Sequence, residues 1–204
     1  MDNDYIHVQQ TLRGNTVAFD ELVKIYLPDV YRYLLWLAHD SDTAQDITQE
    51  AFIRAWKNLK KFDATKSFKP WLLRLARNAA YDHMRQKAVL PFSRLSEQEE
   101  YYVNQIQDTT LLPVEQTVNN ERSAEVQTVL SQLSVKYREV LVLHYFEELA
   151  APEIADVLNL SHETVRTRLR RARALFRKSF EQSGYETNPL TTLLNPAPQS
   201  RTAK

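Results

Sequence analysis

Apolar residues recur three or four positions apart from about residue 3 to residue 88, with polar residues between them, and this spacing predicts a run of helices. The sequence Arg13-Gly14-Asn15 separates the first helix from the second. An apolar stripe then continues from Phe19 to Leu37, and Pro28, which lacks a backbone N–H, predicts a junction between two helices within it. The pattern therefore predicts a helical bundle in this part of the chain.

Two further helices complete this bundle. One is predicted over residues 42–61, where the carboxylate of Asp42 caps the helix and Gln45 reaches back to the backbone. A polar loop follows at residues 62–67. The last helix is predicted from residue 68 to about residue 87 because apolar positions again recur at helical spacing.

The helical periodicity fades between residues 89 and 120, where two prolines occur and acidic residues dominate. We interpret this stretch as a flexible acidic linker between a first domain, residues 1–88, and a second helical domain, residues 121–182. Residues 183–204 are expected to form a disordered tail. The sequence thus predicts an all-α protein made of two small helical domains.

The second domain carries the pattern of a helix-turn-helix. A short helix is predicted to begin near Pro152, and the tripeptide Asn159-Leu160-Ser161 follows it. Asparagine tolerates a left-handed backbone, the leucine fills the core, and the serine hydroxyl caps the next helix, so three residues give a tight reversal. The next helix, residues 162–180, has an apolar stripe made of Val165, Leu169, Ala172 and Phe176.

The opposite face of this last helix is mainly basic. It presents Glu163, Arg166, Thr167, Arg170, Arg171 and Arg173. Such a helix suits the DNA major groove, where its first residues reach base edges and later arginines neutralise phosphates. A solvated basic helix without a partner is the alternative, and the short helix and tight turn in front of it favour DNA binding.

The formal net charge is zero, with 26 basic and 26 acidic residues, and this balance alone argues against a nucleic-acid-binding protein. The distribution reverses that inference, since seven basic residues stand against one acid from Ser161 to Lys178. The chain has two glycines and no cysteine, which favours helices and excludes disulfides. It shows neither a signal peptide nor an apolar run long enough to span a bilayer, so we expect a cytoplasmic protein without membrane insertion.

The helix over residues 42–61 has two contrasting faces. A buried stripe is predicted for Ile47, Ala51, Ala55 and Leu59, with Phe52 and Trp56 beside it. A neighbouring face carries Asp46, Gln49, Glu50, Ile53 and Lys57. Carboxylates and an amide around an apolar residue suit a protein-contact surface, and an ordinary solvated acidic face is the alternative. Catalysis is not expected, because no His, Cys or glycine-rich loop completes a site.

The last helix of the first domain has the pattern of a single-stranded DNA-binding surface. A basic stripe with one aromatic ring is formed by Arg74, Arg77, Tyr81 and Arg85, flanked by Asn78 and Asp82. The residues expected to face the core are Trp71, Leu72, Leu75 and Ala79. Arginine binds phosphates, while aromatic and amide groups bind exposed bases, so the stripe suits an unpaired strand.

Six motifs occur in a fixed order along the chain. They are Phe19-Asp20-Glu21-Leu22, the run DITQEAFIRAW from Asp46, the run WLLRLARN from Trp71, the run YREVLVLHYF from Tyr137, Glu153-Ile154-Ala155 and the run TVRTRLRRAR from Thr164. Together these motifs resemble the extracytoplasmic-function sigma factors of the sigma-70 family. The resemblance covers about residues 15–88 and 121–180.

The resemblance implies a division of labour between the domains. The first is similar to sigma region 2, whose docking surface for core RNA polymerase matches Asp46, Gln49, Glu50 and Ile53. The part that melts the minus-ten element and captures a flipped base matches Phe62, Asp63, Lys66, Ser67, Arg74, Arg77, Asn78 and Arg85. The second domain is similar to sigma region 4, and we expect the minus-thirty-five element to be read through Ser161, Glu163, Thr164, Arg166, Thr167, Arg170 and Arg171.

The resemblance also implies which promoters the protein serves and how its activity is controlled. It implies a factor for stress or envelope-response promoters that is controlled by an anti-sigma factor and is monomeric when free. It places the acidic linker along the RNA exit path, where its charge would imitate the transcript. The chain departs from the family at Glu163, where a small residue is common. A carboxylate there repels phosphate yet can accept a hydrogen bond from a cytosine amine, which predicts an unusual promoter preference.

The main alternative is a stand-alone helix-turn-helix regulator. Such a protein usually dimerises on a palindrome, and the sequence shows no separate dimerisation helix or ligand domain. The acidic face of the first domain would also be left without a role. An enzyme is disfavoured because the five histidines are scattered and no nucleophile motif or phosphate loop occurs. We expect neither a metal nor another cofactor.

Overall fold

The computed structural model describes residues 3–38, 40–87 and 121–183. Over these ranges the chain folds into helices joined by turns and loops, which confirms the all-α prediction. The helices are α1 (Asn3–Leu12), α2 (Thr16–Ala38), α3 (Ser41–Asn58), α4 (Phe68–Lys87), α5 (Glu121–Ser131), α6 (Val135–Tyr145), α7 (Ala151–Leu158) and α8 (His162–Gln182), with a 3₁₀ turn at Leu59–Lys61. The predicted acidic linker and the predicted tail beyond residue 183 lie outside the described residues.

Helices α1 to α4 form the first bundle, because each turns an apolar stripe inward. Leu22, Leu34 and Leu72 are completely buried at its centre, and α3 packs against both α2 and α4. Gly14 has a φ of 96°, and this left-handed backbone allows the sharp turn from α1 into α2. The bundle therefore holds α3 and α4 side by side with their polar faces outward.

The predicted helix junction at Pro28 is wrong, since α2 continues through this residue from Thr16 to Ala38. A proline inside a helix costs about 3 kcal/mol through its missing hydrogen bond and its steric clash. The apolar stripe is buried on both sides of it, with Phe19 and Leu22 before and Leu34 and Leu37 after. Packing of these side chains offsets the local cost and keeps the helix continuous.

The residue that caps α3 also differs from the prediction. The helix begins at Ser41, and the side chain of Asp40, not that of Asp42, accepts the backbone N–H of Thr43 at 2.8 Å. The backbone of Asp40 is extended, as an N-cap requires, whereas Asp42 lies in the first helical turn. There its negative charge still interacts favourably with the helix dipole.

Helices α5 to α8 form the second bundle around Leu130, Leu141, Ile154 and Phe176, none of which is more than 1% exposed. A charged side chain, Arg138, lies inside this bundle. Its guanidinium donates to three backbone carbonyls at 3.0, 3.1 and 3.0 Å, those of Leu130, Ser131 and Leu133. The arginine thus binds carbonyls at the C-terminal end of α5 and in the turn after it, where the carbonyl of Leu130 also accepts the N–H of Leu133 at 3.1 Å.

Replacement of Arg138 by methionine is expected to lower the free energy of unfolding by roughly 2–4 kcal/mol, because buried carbonyls lose their donors. Burial lowers the pKa of Arg138 to about 10, so the group is still charged near neutral pH. Urea unfolding followed by circular dichroism measures the change. Arg177→Met, at an exposed position of α8, is the matched control and should change stability little. Equal stability of the two variants would contradict the capping role.

The two bundles are in contact. Helix α4 packs against α7, and α2 packs against α6. The rings of Trp36 and Phe146 lie 5.6 Å apart across this contact, and the buried apolar side chains form one continuous cluster through both bundles. The fold thereby brings the polar side chains of α4 close to those of the second bundle.

Candidate nucleic-acid interface

The helix-turn-helix has the predicted geometry. Asn159 ends α7 in the left-handed region, with φ 53° and ψ 49°, and the N–H of Leu160 donates to the carbonyl of Ala155 at 3.0 Å. The hydroxyl of Ser161 accepts the N–H of Thr164 at 3.1 Å and so caps α8. Both the left-handed turn and the serine cap are therefore confirmed.

Helix α8 separates a buried stripe from an exposed basic face. Val165, Leu169, Ala172 and Phe176 are buried, as predicted. Ser161, Glu163, Arg166, Arg170 and Arg171 are exposed, and Thr164 and Thr167 are half-buried beside them. The structure thus brings together all seven residues predicted to read the minus-thirty-five element on one accessible surface.

Residues of α6 extend this surface. A cleft of about 310 Å³ lies between α6 and α8 and is lined by Lys136, Tyr137, Glu163, Thr164, Thr167, Arg168 and Arg171. The ammonium of Lys136 lies 5.5 Å from the centre of the Tyr137 ring. Sequence reasoning did not assign these α6 residues to the site, because helical periodicity carries no information about which helix lies beside α8.

Arg173 differs from the other arginines of α8. Its Nε donates to the hydroxyl of Tyr145 at 2.8 Å, and its side chain is half-buried. The prediction that it shares the exposed basic face is therefore wrong. The tertiary contact with α6 turns the guanidinium towards the protein, and its charge instead supports the packing of α8 on α6.

The exposed face of α3 is acidic with an apolar centre. Asp46, Gln49, Glu50 and Ile53 are all exposed, and the side chain of Ile53 is 46% exposed. Trp56 was predicted beside the buried stripe, yet it is also 46% exposed, with its ring edge-on to Phe19 at 5.0 Å. The spacing of three between Ile53 and Trp56 was the available signal that both could share one surface.

Arg54 connects this face to α4. Its Nε donates to Glu50 at 2.8 Å, and its Nη1 donates to Asp82 at 2.7 Å. Asp82 in turn pairs with Arg85, one turn further along α4. This ionic chain fixes the spacing of α3 and α4, so the acidic face and the basic stripe are presented by one rigid unit.

The loop between α3 and α4 is built on aromatic contacts. The ring of Phe62 lies 5.5 Å from Phe68 and 5.1 Å from Trp71. Asp63, Lys66 and Ser67 are exposed at the tip, where Asp63 accepts the N–H and hydroxyl of Thr65. These hydrogen bonds lower the pKa of the Asp63 carboxyl, which stays ionised. The aromatic base holds the polar tip in place.

The basic residues predicted to form a stripe on α4 differ in how exposed their side chains are. Arg74, Asn78 and Arg85 are exposed, but the side chain of Arg77 is only 14% exposed. Its Nε donates to Glu139 of α6 at 2.9 Å, and its guanidinium lies 4.3 Å from the centre of the Tyr81 ring. Burial alone would lower the pKa of Arg77, but Glu139 raises it above the usual value. The prediction of a uniformly accessible stripe is therefore wrong at this residue.

Two classes of site find no support in the part of the chain that the structure describes. Over residues 3–38, 40–87 and 121–183 there is no group of His, Cys, Asp and Glu side chains arranged to hold a metal ion. No helix within the same ranges is long and apolar enough to cross a membrane.

Both bundles of the chain match models of known protein families. Residues 22–89 match the model of sigma-70 region 2, and residues 123–176 match that of sigma-70 region 4. The extracytoplasmic-function sigma factor SigW of Bacillus subtilis is 35% identical over 184 residues, which cover 84% of this chain and 93% of SigW. The RNA polymerase sigma-H factor of Pseudomonas aeruginosa is 32% identical, over 88% of this chain and 95% of that protein.

Solved structures agree with this result. The structure of CnrH in complex with the cytosolic domain of CnrY covers 89% of this chain at 28% identity, with a TM-score of 0.65. Sigma factor RpoE of Bartonella quintana, solved with the anti-sigma factor NepR, shares the fold at 21% identity, with a TM-score of 0.62. The chain belongs to the extracytoplasmic-function sigma factors of the sigma-70 family. It acts in transcription initiation by bacterial RNA polymerase, and a stand-alone regulator is not favoured.

Proposed function

We propose that three surfaces divide the work of this sigma factor. The exposed face of α3 docks on core RNA polymerase, the loop 62–67 with α4 binds the melted minus-ten element, and α8 reads the minus-thirty-five element. The observation that carries the proposal is a serine-capped helix in a helix-turn-helix with an exposed basic face. The matched family regions overlap the proposed domains, residues 1–88 and 121–182, and support them.

The duplex-reading role of α8 rests on the order of its side chains. Ser161, Glu163 and Thr164 lie at the start of the helix, where a recognition helix meets base edges. Arg166 and Arg170 follow four positions apart and therefore project from the same face. We expect the later arginines to neutralise phosphates and fix the register of the helix on the duplex.

Replacement of Glu163 by alanine is expected to change base preference more than affinity. A carboxylate in the first turn can accept a hydrogen bond from the amine of cytosine, and its loss should cost about 1–3 kcal/mol of discrimination at one base pair. Removal of a negative charge should at the same time strengthen binding to unrelated duplexes. Fluorescence anisotropy with duplexes varied at each minus-thirty-five position measures both effects.

Glu181→Ala, an exposed acid at the far end of the same helix, is the matched control. It removes the same charge without touching the first turn. An identical pattern of base preference in Glu163→Ala and wild type would contradict a reading role for Glu163.

The minus-ten role of the loop and α4 rests on a cleft of about 520 Å³. Phe62 and Trp71 line it and offer aromatic rings to an unstacked base. Lys66 and Arg74 also line the cleft and supply positive charge for the phosphates of the strand. Aromatic and cationic groups at one opening are what binding of a single strand requires, which supports this assignment.

The docking role of α3 rests on an apolar centre within a polar rim. Ile53 and Trp56 are the exposed apolar groups, and Asp46, Gln49 and Glu50 surround them. Interfaces commonly owe most of their binding energy to a few such apolar anchors whose polar neighbours exclude water. The same arrangement has no evident purpose on a solvated helix face.

We further propose that the chain works in the cytoplasm as a monomer until it meets polymerase, and that it performs no catalysis itself. RNA synthesis is the chemistry of the polymerase, and the sigma factor supplies binding surfaces. CnrH was solved with the cytosolic domain of a partner protein, which supports a protein partner for this chain as well. The resemblance implies that this partner is an anti-sigma factor.

The proposal is tested by reconstitution. The purified chain is mixed with bacterial core RNA polymerase and genomic DNA fragments, and the 5′ ends of the transcripts are sequenced. We expect a set of start sites that share sequences near minus ten and minus thirty-five and that are absent with core polymerase alone. A well-folded chain that neither binds core polymerase nor produces such start sites would overturn the proposed roles.

A further inference from the structure

Helix α1 forms one wall of a second cleft beside the loop 62–67. This cleft has a volume of about 160 Å³, and Asp4 and Tyr5 line it from α1. Phe62, Phe68 and residues 64–67 line it from the loop. Several loop residues line both this cleft and the larger one of about 520 Å³, namely Phe62, Thr65, Lys66 and Ser67. A strand that binds the loop therefore comes within reach of α1.

The start of α1 is fixed against the base of the loop. The hydroxyl of Tyr26 donates to the carboxylate of Asp4. The ring of Tyr26 lies 5.5 Å from that of Phe68, which is buried where the loop enters α4. Helix α1 also packs against the 3₁₀ turn at Leu59–Lys61, which leads into the loop. These contacts set the position of Asp4 relative to the loop.

Asp4 presents a hydrogen-bond acceptor to the cleft. A carboxylate has about four acceptor sites on its two oxygens, so the bond from Tyr26 leaves capacity for a further donor. A negative charge repels the phosphates of a strand but suits the exocyclic amine of a base. Cytosine carries an amine at the ring position where thymine carries a carbonyl oxygen. The carboxylate can therefore distinguish these two bases, which are nearly equal in size.

The remaining lining supplies stacking and positive charge. The side chain of Tyr5 is 41% exposed, and the ring of Phe62 is half-buried across the cleft. Aromatic rings stack on unpaired bases of any identity. Lys66 is exposed at the tip of the loop and offers a cation to the phosphate beside such a base. Asp4 thus stands out as the residue of this cleft that can favour a base with an amine.

We propose that the cleft between α1 and the loop holds one unpaired base of the minus-ten strand, and that Asp4 selects cytosine over thymine there. The inference rests on the proposed minus-ten role of the loop and α4. Tyr5 supports the ring of the base, and Asp4 accepts a hydrogen bond from its amine. With thymine, a carbonyl oxygen would face the carboxylate, and both groups would lack a donor. Helix α1 thereby takes part in promoter reading.

The test uses holoenzyme reconstituted with bacterial core RNA polymerase. The DNA is one of the promoters found by transcript mapping, with its minus-ten region held open by a noncomplementary template strand. Each non-template position of this region is made cytosine or thymine in turn, and competition against a labelled promoter measures the affinity. Because the strand is already open, differences in affinity report contacts with the base and not the cost of melting.

For wild type we expect one position at which cytosine is preferred to thymine about tenfold, the lower end of what a base contact contributes. Asp4→Asn should reduce this preference to less than about threefold, because an amide can donate to thymine as well as accept from cytosine. Preferences at the other positions should not change. Asparagine keeps an oxygen for the hydroxyl of Tyr26, so α1 should stay in place.

Two further variants separate base selection from other effects. Asp20→Asn makes the same change at an exposed acid of α2 and should discriminate as wild type does. Tyr5→Ala should weaken binding of the cytosine and thymine templates alike by about tenfold, because stacking does not depend on the edge of the base. If Tyr5→Ala bound both templates as tightly as wild type, the base would have to lie outside this cleft.

A wild-type preference that persists in Asp4→Asn, or its absence in wild type, would overturn the role of Asp4. Arg74→Ala distinguishes this failure from failure of the proposed function, because Arg74 lines the larger cleft. Weaker binding by Arg74→Ala alone would mean that the loop and α4 bind the strand without α1. Unchanged binding by Arg74→Ala, Tyr5→Ala and Asp4→Asn would overturn the minus-ten role itself. Circular dichroism and intact binding of a minus-thirty-five duplex establish that each variant is folded.

Discussion

Replacement of Arg170 and Arg171 together by alanine is expected to weaken binding to a minus-thirty-five duplex roughly a hundredfold. Both side chains are exposed on the basic face of α8, beyond the first turn that meets base edges. A factor of ten for each corresponds to about 1.4 kcal/mol per guanidinium, within the range for contacts of arginine with DNA. A plot of the logarithm of the binding constant against the logarithm of the salt concentration should also become less steep. Its slope should decrease in magnitude by about one for each phosphate that an arginine no longer neutralises.

Arg177→Ala provides the matched control for this pair. It removes an exposed arginine from the same helix but near its C-terminal end, away from the helix-turn-helix. Anisotropy titrations of full-length chains against a promoter duplex at several salt concentrations compare the double variant with the Arg177→Ala control. If the double variant kept both the affinity and the salt slope of wild type, the DNA-reading face of α8 would have to be reassigned.

Replacement of Ile53 by aspartate is expected to reduce the affinity for core RNA polymerase at least about thirtyfold. The side chain is the apolar centre of the α3 face, next to Trp56. Truncation of such an interface anchor typically costs about 2 kcal/mol or more, and a buried unpaired carboxylate adds a desolvation penalty. Since Ile53 is 46% exposed in the free chain, the substitution should leave folding nearly unchanged.

Ile25→Asp makes the same chemical change at an isoleucine of α2 that is also 46% exposed. It should leave polymerase binding intact, and co-elution of each variant with core polymerase on a sizing column provides the comparison. Binding of the isolated minus-thirty-five duplex serves as a second readout, because neither variant touches α8. Equal polymerase binding by the two variants would exclude α3 as the docking face.

The features predicted correctly from the sequence are those determined within a few neighbouring residues. Asn159 adopts the left-handed conformation for which asparagine is suited, and Ser161 caps the helix that follows it. The buried stripe of α8 follows from spacing alone, since residues three and four apart share a helix face. The helix-turn-helix could therefore be recognised before any tertiary contact was known.

Tertiary packing decided two of the features that the sequence predicted wrongly, the helix junction at Pro28 and the burial of Trp56, whereas the cap of α3 was decided by the local backbone. Pro28 remains inside a helix because the apolar stripe is buried on both sides of it. Asp40 and Asp42 are both chemically able to cap α3, and only the extended backbone at Asp40 selects between them. Trp56 was predicted to lie beside the buried stripe of α3, but its side chain is 46% exposed.

The state of Arg77 could not have been predicted from periodicity at all. Its position on α4 is that of an exposed basic residue, and its partner Glu139 belongs to the other bundle. No local pattern connects two residues that meet only when separate bundles dock. The charges were visible in the sequence, but their pairing depends on how α2 and α4 lie against α6 and α7.

The apolar cluster that runs through both bundles makes the free chain one cooperative unit of unfolding. Trp36 and Phe146 are in contact across the boundary, and Glu147 is buried only while the bundles touch. Loss of order in either bundle would expose groups of the other, so both family regions are expected to melt in a single transition. In a chain whose two regions are held apart, each region depends on its own core, and a substitution that weakens one bundle no longer weakens the other.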